Sequence, residues 1–424
     1  MSSVRSPKEN PNASAPGRNR FLSLASDAAE LSPELVALRH KLHRQPEVGL
    51  DLPQTQHAVL EALAGLPVET SVGRSLSSVI GVIRGPQAAD HNADAVILRA
   101  DMDAIPGAEK TAVEYASTNG LMHACGHDLH TAMLVGAAHL LSARTAELAG
   151  DVILMFQPGE EGHLGAQTML AEGLLDSVPG SVVAAYAIHV SSALIPRGVF
   201  ASRKHCMMSG LTSMRVRLVG TGTHASTPHL GQNPVLAASD MILSLQAMVT
   251  RRFDVFDPVV LTIVKIEGGQ ASNAIPECVV FEASVRAFSE RSMLQVIAEA
   301  TSVIKGIASL HGVAADVSCV ETCGPVMNAE SSVELVEKCV SEIFGPARYQ
   351  GLPSPLTASE DFSEVLERVP GAIVLLGAHP SKYATEDAPF NHSPSAEFDD
   401  GVIADGAMLL TELAIRTLAD SKSA

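Results

Sequence analysis

The chain has 424 residues, more than one hydrophobic core usually organises, so two domains are expected. Apolar residues make up 46% but aromatics only 4%, with no Trp, so the cores must be built from Ala, Val, Leu and Ile. A formal net charge of −18 argues against nucleic acid or an anionic membrane as partner, because both require basic surface.

The N-terminus, MSSVRSPKENPNASAPGRNR, lacks the apolar stretch of a secretory signal. Rich in Ser, Asn and Pro, residues 1–20 read as a disordered tail. No apolar run of membrane-spanning length is expected. Six Cys at irregular spacing do not make a disulfide framework. Cys206, Cys278, Cys319, Cys323 and Cys339 read as small buried hydrophobes, and the Cys319–Cys323 spacing is a weak metal signal on its own. A cytoplasmic location follows.

Leu35, Leu38 and Leu42 predict a helix over 33–45, with Ser32 as N-cap and Pro33 at its first position. A second helix is expected over 55–65, then strands at 79–83 and 95–100. A helix from about Asp128 to Ala138, a strand at 151–156, a helix at 165–172 and a strand at 182–190 follow. This alternation predicts an α/β fold, a mostly parallel sheet with helices on both faces. Asp101 and Asp103, Glu160 and Glu161, and His189 each fall at a strand end, where open α/β sheets bind ligands. After about residue 205 the pattern changes. An alternating strand with Val216 and Leu218, a helix at 234–250, two strand-like segments (VVLTIVKIEGG and CVVFEASVRAF) and a helix at 291–309 form a smaller α+β unit. That unit, 205–318, is inserted into a discontinuous first domain of 21–204 and 319–424. The second part carries helices at 331–344 and 361–367, a strand at 372–378, and His392.

The segment HACGHDLH, His123 to His130, packs three His, one Cys and one Asp into eight residues. In extended chain Cys125 and His127 point the same way, so both could hold one metal, or Cys125 could bridge two. His123 and His130 read as supporting rather than ligating. In FQPGEEG, one of Glu160 and Glu161 can ligate a metal while the other serves as general base. Asp101 and Asp103 suit the orientation of ligating His side chains. In the inserted unit, His224 lies among glycines, and Arg286 could clamp a carboxylate or simply pair at an exposed strand. Asn273 lies in the same unit. Ser359 reads as the N-cap of the 361–367 helix, with Glu360 and Asp361 as capping acids.

In this order, RHKLHRQPE from Arg39, LRADMDAIP, HACGHDLHTAM, FQPGEEG, GTGTHASTPH, NAIPE, SEDF and His392-Ser393-Pro394 resemble the M20 metallopeptidase family, specifically its amidohydrolase branch. That branch contains hippurate hydrolases, N-acyl-amino-acid amidohydrolases and plant indoleacetyl-amino-acid hydrolases. The resemblance covers nearly the whole chain after the tail. It implies a di-metal hydrolase domain with an inserted lid that mediates dimerisation, hence a homodimer or higher oligomer. It implies Cys125 as a bridging thiolate, His127, Glu161, His189 and His392 as further metal ligands, and Glu160 as general base. It implies His224 as an oxyanion-stabilising residue reaching a partner's site, and Asn273 and Arg286 near the substrate carboxylate. Asp103 belongs to the catalytic set as an orienting carboxylate. Three departures stand out: Leu52 where the family usually has Glu, Asn391 before His392, and the bulky Lys382–Tyr383 stretch, the last two expected to alter the pocket.

The implied activity is hydrolysis of N-acyl amino acids to a carboxylic acid and an amino acid, with Glu160 as base to a metal-activated water. Two divalent ions, Zn, Mn, Co or Ni, are the implied cofactors. Alternatives on the same scaffold are a dipeptidase or an N-acetyl-amino-acid deacetylase such as one for N-acetyl-diaminopimelate. A metal-stabilised binding protein is a remote third.

Overall fold

The computed structural model describes residues 16–86 and 93–422. Residues 1–15 of the expected tail lie outside them, but residues 16–20 already belong to helix α1 (Pro16–Arg44). Arg20 anchors this end through Glu147 (3.0 Å) and the buried Glu412 (2.8 Å). Pro33, expected to open a helix, instead lies inside α1. A mid-helix proline costs ~3 kcal/mol. Packing on both sides of it offsets that cost: Leu24 and Ala28 bury against Leu140, Ala407 and Met408, and Leu35 enters the main core.

The chain continues through α2 (Pro53–Leu63), β1 (Glu69–Val72), β2 (Val79–Ile83), β3 (Ala95–Asp101) and α3 (His127–Ser142). Then come β4 (Asp151–Gln157), α4 (Gly165–Ala171), β5 (Val182–Ser191) and β6 (Phe200–Ser202). The smaller unit contains β7 (Gly210–Val219), α5 (Pro234–Arg252), β8 (Val259–Gly268), β9 (Cys278–Ala287), α6 (Glu290–His311) and β10 (Ala314–Cys323). The return segment supplies α7 (Glu330–Ile343), β11 (Tyr349–Gly351), α8 (Ser363–Leu366), β12 (Gly371–Gly377) and α9 (Ile403–Ser421).

The large sheet has the order β1-β2-β4-β3-β5-β12-β6-β11. Its centre, β4, β3, β5 and β12, is parallel, with antiparallel neighbours β2 and β6. Every residue of β3, β4 and β12 is buried, as expected for strands covered on both faces. Val96, Leu98, Val152, Leu154 and Val374 face the core formed with α1, α2, α3, α7 and α9. Ile97, Ile153, Met155 and Ile373 face a smaller cover containing Ala166, Met169 and Val365 from α4 and α8. Helix α9 carries no narrow apolar stripe because its middle, Gly406 to Ile415, is buried without a break, including Thr411 and Glu412.

The smaller unit is a four-stranded antiparallel sheet, β8-β9-β7-β10, with α5 and α6 packed on it. β10 carries this unit to Cys323, past the expected boundary at 318. At the other end, His205–Met208 pairs with Val326–Asn328 and so does not belong to the inserted sheet. By length and composition α6 could cross a bilayer, contrary to expectation. Its stripe of Met293, Val296, Ala300, Ile304 and Ala308 packs on this sheet. All six cysteines are free. Cys323 and Cys339 are buried as expected, whereas Cys206 and Cys278 are half-buried and Cys319 is exposed.

Candidate active site

The catalytic-type residues gather beyond the carboxyl ends of β3, β4 and β5. β3 ends in Asp101 and runs on to Asp103; β4 ends in Gln157 and turns through Pro158 and Gly159 to Glu160 and Glu161. His127 is the first residue of α3, and Cys125 precedes it by two. Gly126 between them is left-handed, with φ 87°, and a Cβ there would fall 2.3 Å from Val190 Cγ2. Only glycine fits this turn. His189 lies near the end of β5. His392 comes from the loop after β12, also in left-handed backbone (φ 69°), with its N–H held by the Ala124 carbonyl at 2.9 Å.

Cys125, His127 and His189 each place a donor atom within 4.8 Å of the others, and so do Cys125, Glu161 and His392. The Cys125 sulfur is thus common to two groups. His127, Glu160 and Glu161 form a third group that links the halves. Cys125 Sγ lies 3.4 Å from His189 Nε2. Buried polar atoms are normally paired. Here His127 Nε2 and Glu161 Oε1 have no hydrogen-bond partner, and the 3.0 Å contact between Glu161 and His392 lacks hydrogen-bond alignment. Thiolate, imidazole and carboxylate lone pairs aimed at shared points are the donor set of a transition-metal site, so these residues fit a divalent cation.

The neighbouring carboxylates hold this arrangement rather than joining it. Asp103 accepts the backbone N–H groups of Glu160 (3.1 Å) and Glu161 (3.0 Å), and its carbonyl accepts from His127 Nδ1 (2.8 Å). Asp101 meets His130 Nδ1 at 2.5 Å, and His130 Nε2 accepts the Val190 N–H at 2.8 Å. Asn391 donates to the carbonyls of Cys125 (3.2 Å) and Val190 (3.1 Å) and accepts from the Ser192 N–H (2.8 Å). It therefore ties three ligand-bearing segments together, a role its position before His392 did not reveal. Lys382 and Tyr383 do not line the cavity; both contact Glu397. Leu52 is a fully buried core residue.

Burial alone would raise the Cys125 thiol, but the His189 and His127 imidazoles hold it far below its usual range. Burial opposes charge on His189, yet Cys125 lifts it to about 9. Contacts with Cys125 and Glu161 lift His392 to about 10. Burial, then Glu360, Glu161 and Asp361, push Glu160 well above the usual carboxylate range. His123 is buried with both ring nitrogens unpaired, and burial lowers it to about 4.

A cavity of about 470 Å³ opens beside these residues. Its apolar walls include Leu164, Leu194, Met208, Leu211, Leu356 and Leu375, with Arg286 at its edge. Arg286 Nη1 donates to the Thr357 carbonyl at 2.7 Å. His224 and Asn273 do not reach this cavity: His224 is exposed on the small domain, its Nδ1 2.7 Å from Ser226 Oγ, and Asn273 lies beside the strand opposite it. Glu360 and Asp361, expected as helix caps, are instead buried against Arg99, because α8 begins only at Ser363. Arg99 and Gln157 carry no role in the sequence reading, and Glu360 and Asp361 only that of caps. An arginine within a buried apolar strand was the available signal.

The sequence pattern of peptidase family M20/M25/M40 matches residues 97–416. The chain belongs to this family. It is 34% identical to IAA-amino acid hydrolase ILR1-like 4 of Arabidopsis thaliana, over 96% of this chain and 90% of that protein. It is 32% identical to N-acetyl-L-cysteine deacetylase of Bacillus subtilis (92% and 89%) and 31% identical to hippurate hydrolase of Campylobacter jejuni (94% and 100%). Among solved structures, Bacillus subtilis YXEP, described as a dinuclear metal-binding peptidase of the M20 family, has a TM-score of 0.77 at 27% identity, covering 92% of this chain and 99% of that one. This M20 protein is a metal-dependent amidohydrolase.

Two outcomes follow from the site geometry. Gly126→Ala should destabilise the fold by about 2–5 kcal/mol, from left-handed strain and overpacking on Val190, and should lower metal content, measured by denaturant unfolding and elemental analysis. His189 and His392, raised to about 9 and 10, are protonated at neutral pH in the metal-free protein, and imidazole ligates only when neutral. Metal loading near pH 7 should therefore release protons and weaken as pH falls, seen by calorimetry in buffers of different ionisation enthalpy.

Proposed function

We propose that this protein hydrolyses the amide of N-acyl amino acids at a site that holds two divalent cations, releasing a carboxylic acid and an amino acid. One observation carries the reading: a single thiol, Cys125, serves two donor groups while the adjacent Glu160 carboxylate accepts no hydrogen bond among the described residues. On this reading His127 and His189 complete one cation's protein ligands, and Glu161 and His392 the other's. Zn, Mn, Co and Ni all suit such donors. When bound, the cations lower the pKa of water and polarise the scissile carbonyl.

The chain's own residues do the rest. Glu160 takes the proton of the attacking water and returns it to the leaving nitrogen. Its raised pKa, caused by burial and neighbouring carboxylates, brings it towards the working range of a general base. Asp103 orients it by fixing the 160–161 turn. Arg286 retains N–H groups beyond the one given to Thr357, and these suit a substrate carboxylate. The apolar cavity walls receive the acyl group.

A free-amine substrate would need an unspent carboxylate to receive its ammonium. Glu360 accepts from Arg99 and the Phe362 N–H, and Asp361 accepts from Gln157, Arg99 and the Ala166 N–H. Both are committed, and the remaining cavity carboxylates, Glu160 and Glu161, are taken up as base and metal ligand, which favours N-blocked substrates over dipeptides. We place His224 and Asn273 against the cavity of a second copy in a homodimer. Both lie on the small domain, where exposed Leu236, Leu243, Val264 and Ile266 offer an apolar face on α5 and β8.

Glu160→Gln should lower turnover by about 10²–10⁴-fold while keeping the bound metal, measured by amino-acid release from acetyl, benzoyl and indoleacetyl amino acids and by metal analysis. Near-normal turnover in that variant would overturn the base assignment. Faster cleavage of matched free dipeptides by the native protein would move the activity to the peptidase side of the family.

A further inference from the structure

We propose that Arg99 is a positioning residue of the reaction, acting through Glu360 and Asp361 on Glu160; this rests on Glu160 being the base. Arg99 stands on β3 and is 2% exposed. Its guanidinium donates to Asp101 (2.7 Å), to Gln157 Oε1 (2.9 Å), to Glu360 (2.8 and 3.3 Å) and to Asp361 (3.2 Å). These partners come from the end of its own strand, from the end of β4 and from the segment before α8. One planar fork thus joins the floor under the metal-ligating residues to the cavity wall. A lysine ammonium, with three donors at one point, could not reach all four.

The two cavity carboxylates are locked from every side. Glu360 also takes the Phe362 N–H (3.1 Å), and Asp361 takes Gln157 Nε2 (2.7 Å) and the Ala166 N–H (3.0 Å). Glu160 is different. Its carboxylate comes within 4.8 Å of both, yet accepts no hydrogen bond among the described residues. Like charges this close in a poorly hydrated pocket repel strongly. Two of the three cannot move, so the third is pressed away from them. Glu160 forms its other close group with His127 and Glu161, where the imidazole attracts it and Glu161 adds another repelling carboxylate. Arg99 therefore fixes the carboxylate wall on one side of Glu160, which leaves His127 as the group that draws Glu160 towards the reaction centre.

A purely structural role does not account for this cluster. Asp101, Glu160, Glu360 and Asp361 surround a single guanidinium, and among the described residues no other Arg or Lys pairs with Glu360 or Asp361. Burying an excess of like charge is costly, and apolar residues of similar volume commonly serve stability as well or better.

The test is steady-state kinetics of the metal-loaded full chain on an N-acyl amino acid, with metal content and thermal unfolding measured alongside. Arg99→Lys should keep its metal, and kcat should fall roughly 10- to 100-fold while KM changes less than about threefold, because positioning rather than binding is lost. Glu360→Gln, nearly isosteric, should also lower kcat about tenfold with metal retained, and should add little in the Arg99→Lys background, because both act through one carboxylate. In a Glu160→Gln background neither change should matter further. Variants with kcat within about twofold of native, fully additive losses, or a loss explained by missing metal would overturn the proposal. If Arg99→Lys fails to fold, Glu360→Gln alone decides by the same kcat criterion. A native protein that binds metal but turns over no N-acyl amino acid would instead refute the underlying amidase reading, and the positioning role with it.

Discussion

The arrangement of the crevice depends on one sulfur seen from two sides. Cys125 belongs to two donor groups, and its place beside His127 is set by Gly126, which holds a left-handed turn packed on Val190. The same turn starts α3, whose N-terminal partial charge favours a thiolate nearby. The other donors are then brought to the sulfur by separate braces. Asp103 holds the 160–161 turn by its two backbone N–H groups. Asn391 fastens the His392 loop to the carbonyls of Cys125 and Val190. His130, set by Asp101, receives the N–H that follows His189. Two of these braces, Asn391 and His130, bond to the backbone of Val190, which lines the cavity, so the pocket wall and the centre share supports.

The second constraint is charge. Buried carboxylates crowd the crevice of a chain that is already strongly acidic, and Arg99 is the fixed counter-charge beneath them. The parallel strands make this tolerable. Fully buried β3 and β4 form a rigid floor from which Arg99, Asp101 and Gln157 project in adjacent register, Arg99 beside Met155 and Asp101 beside Gln157. The large aliphatic core on the helical face supplies the stability against which such a cluster is held.

Much of this was legible in the sequence, and the failures have physical causes. Strand ends carrying Asp101, Glu160 and His189 announced one crevice, because buried parallel strands read as unbroken apolar runs. Helix α9 escaped because burial on all sides of its middle, Gly406 to Ile415, removes the polar face that marks a helix. Pro33 misled because tertiary packing on both flanks overrides a local breaker. Strand β10 was missed because small and polar residues on an edge strand alternate weakly. Glu360 and Asp361 looked like helix caps since a distant arginine partner, 261 and 262 residues away, leaves no local pattern. His224 and Asn273 lie outside the cavity of a single chain, and sequence spacing carries no information about a second one.

The most direct test is a stepwise metal titration of the stripped protein, counting bound ions and measuring N-acyl amino acid hydrolysis at each step. If Cys125 serves two cations, turnover should stay low through the first equivalent and rise with the second, and Cys125→Ala should abolish both that second binding event and the activity. Full turnover at one equivalent, or two tightly bound ions with Cys125 absent, would contradict the shared-thiolate centre on which the account rests.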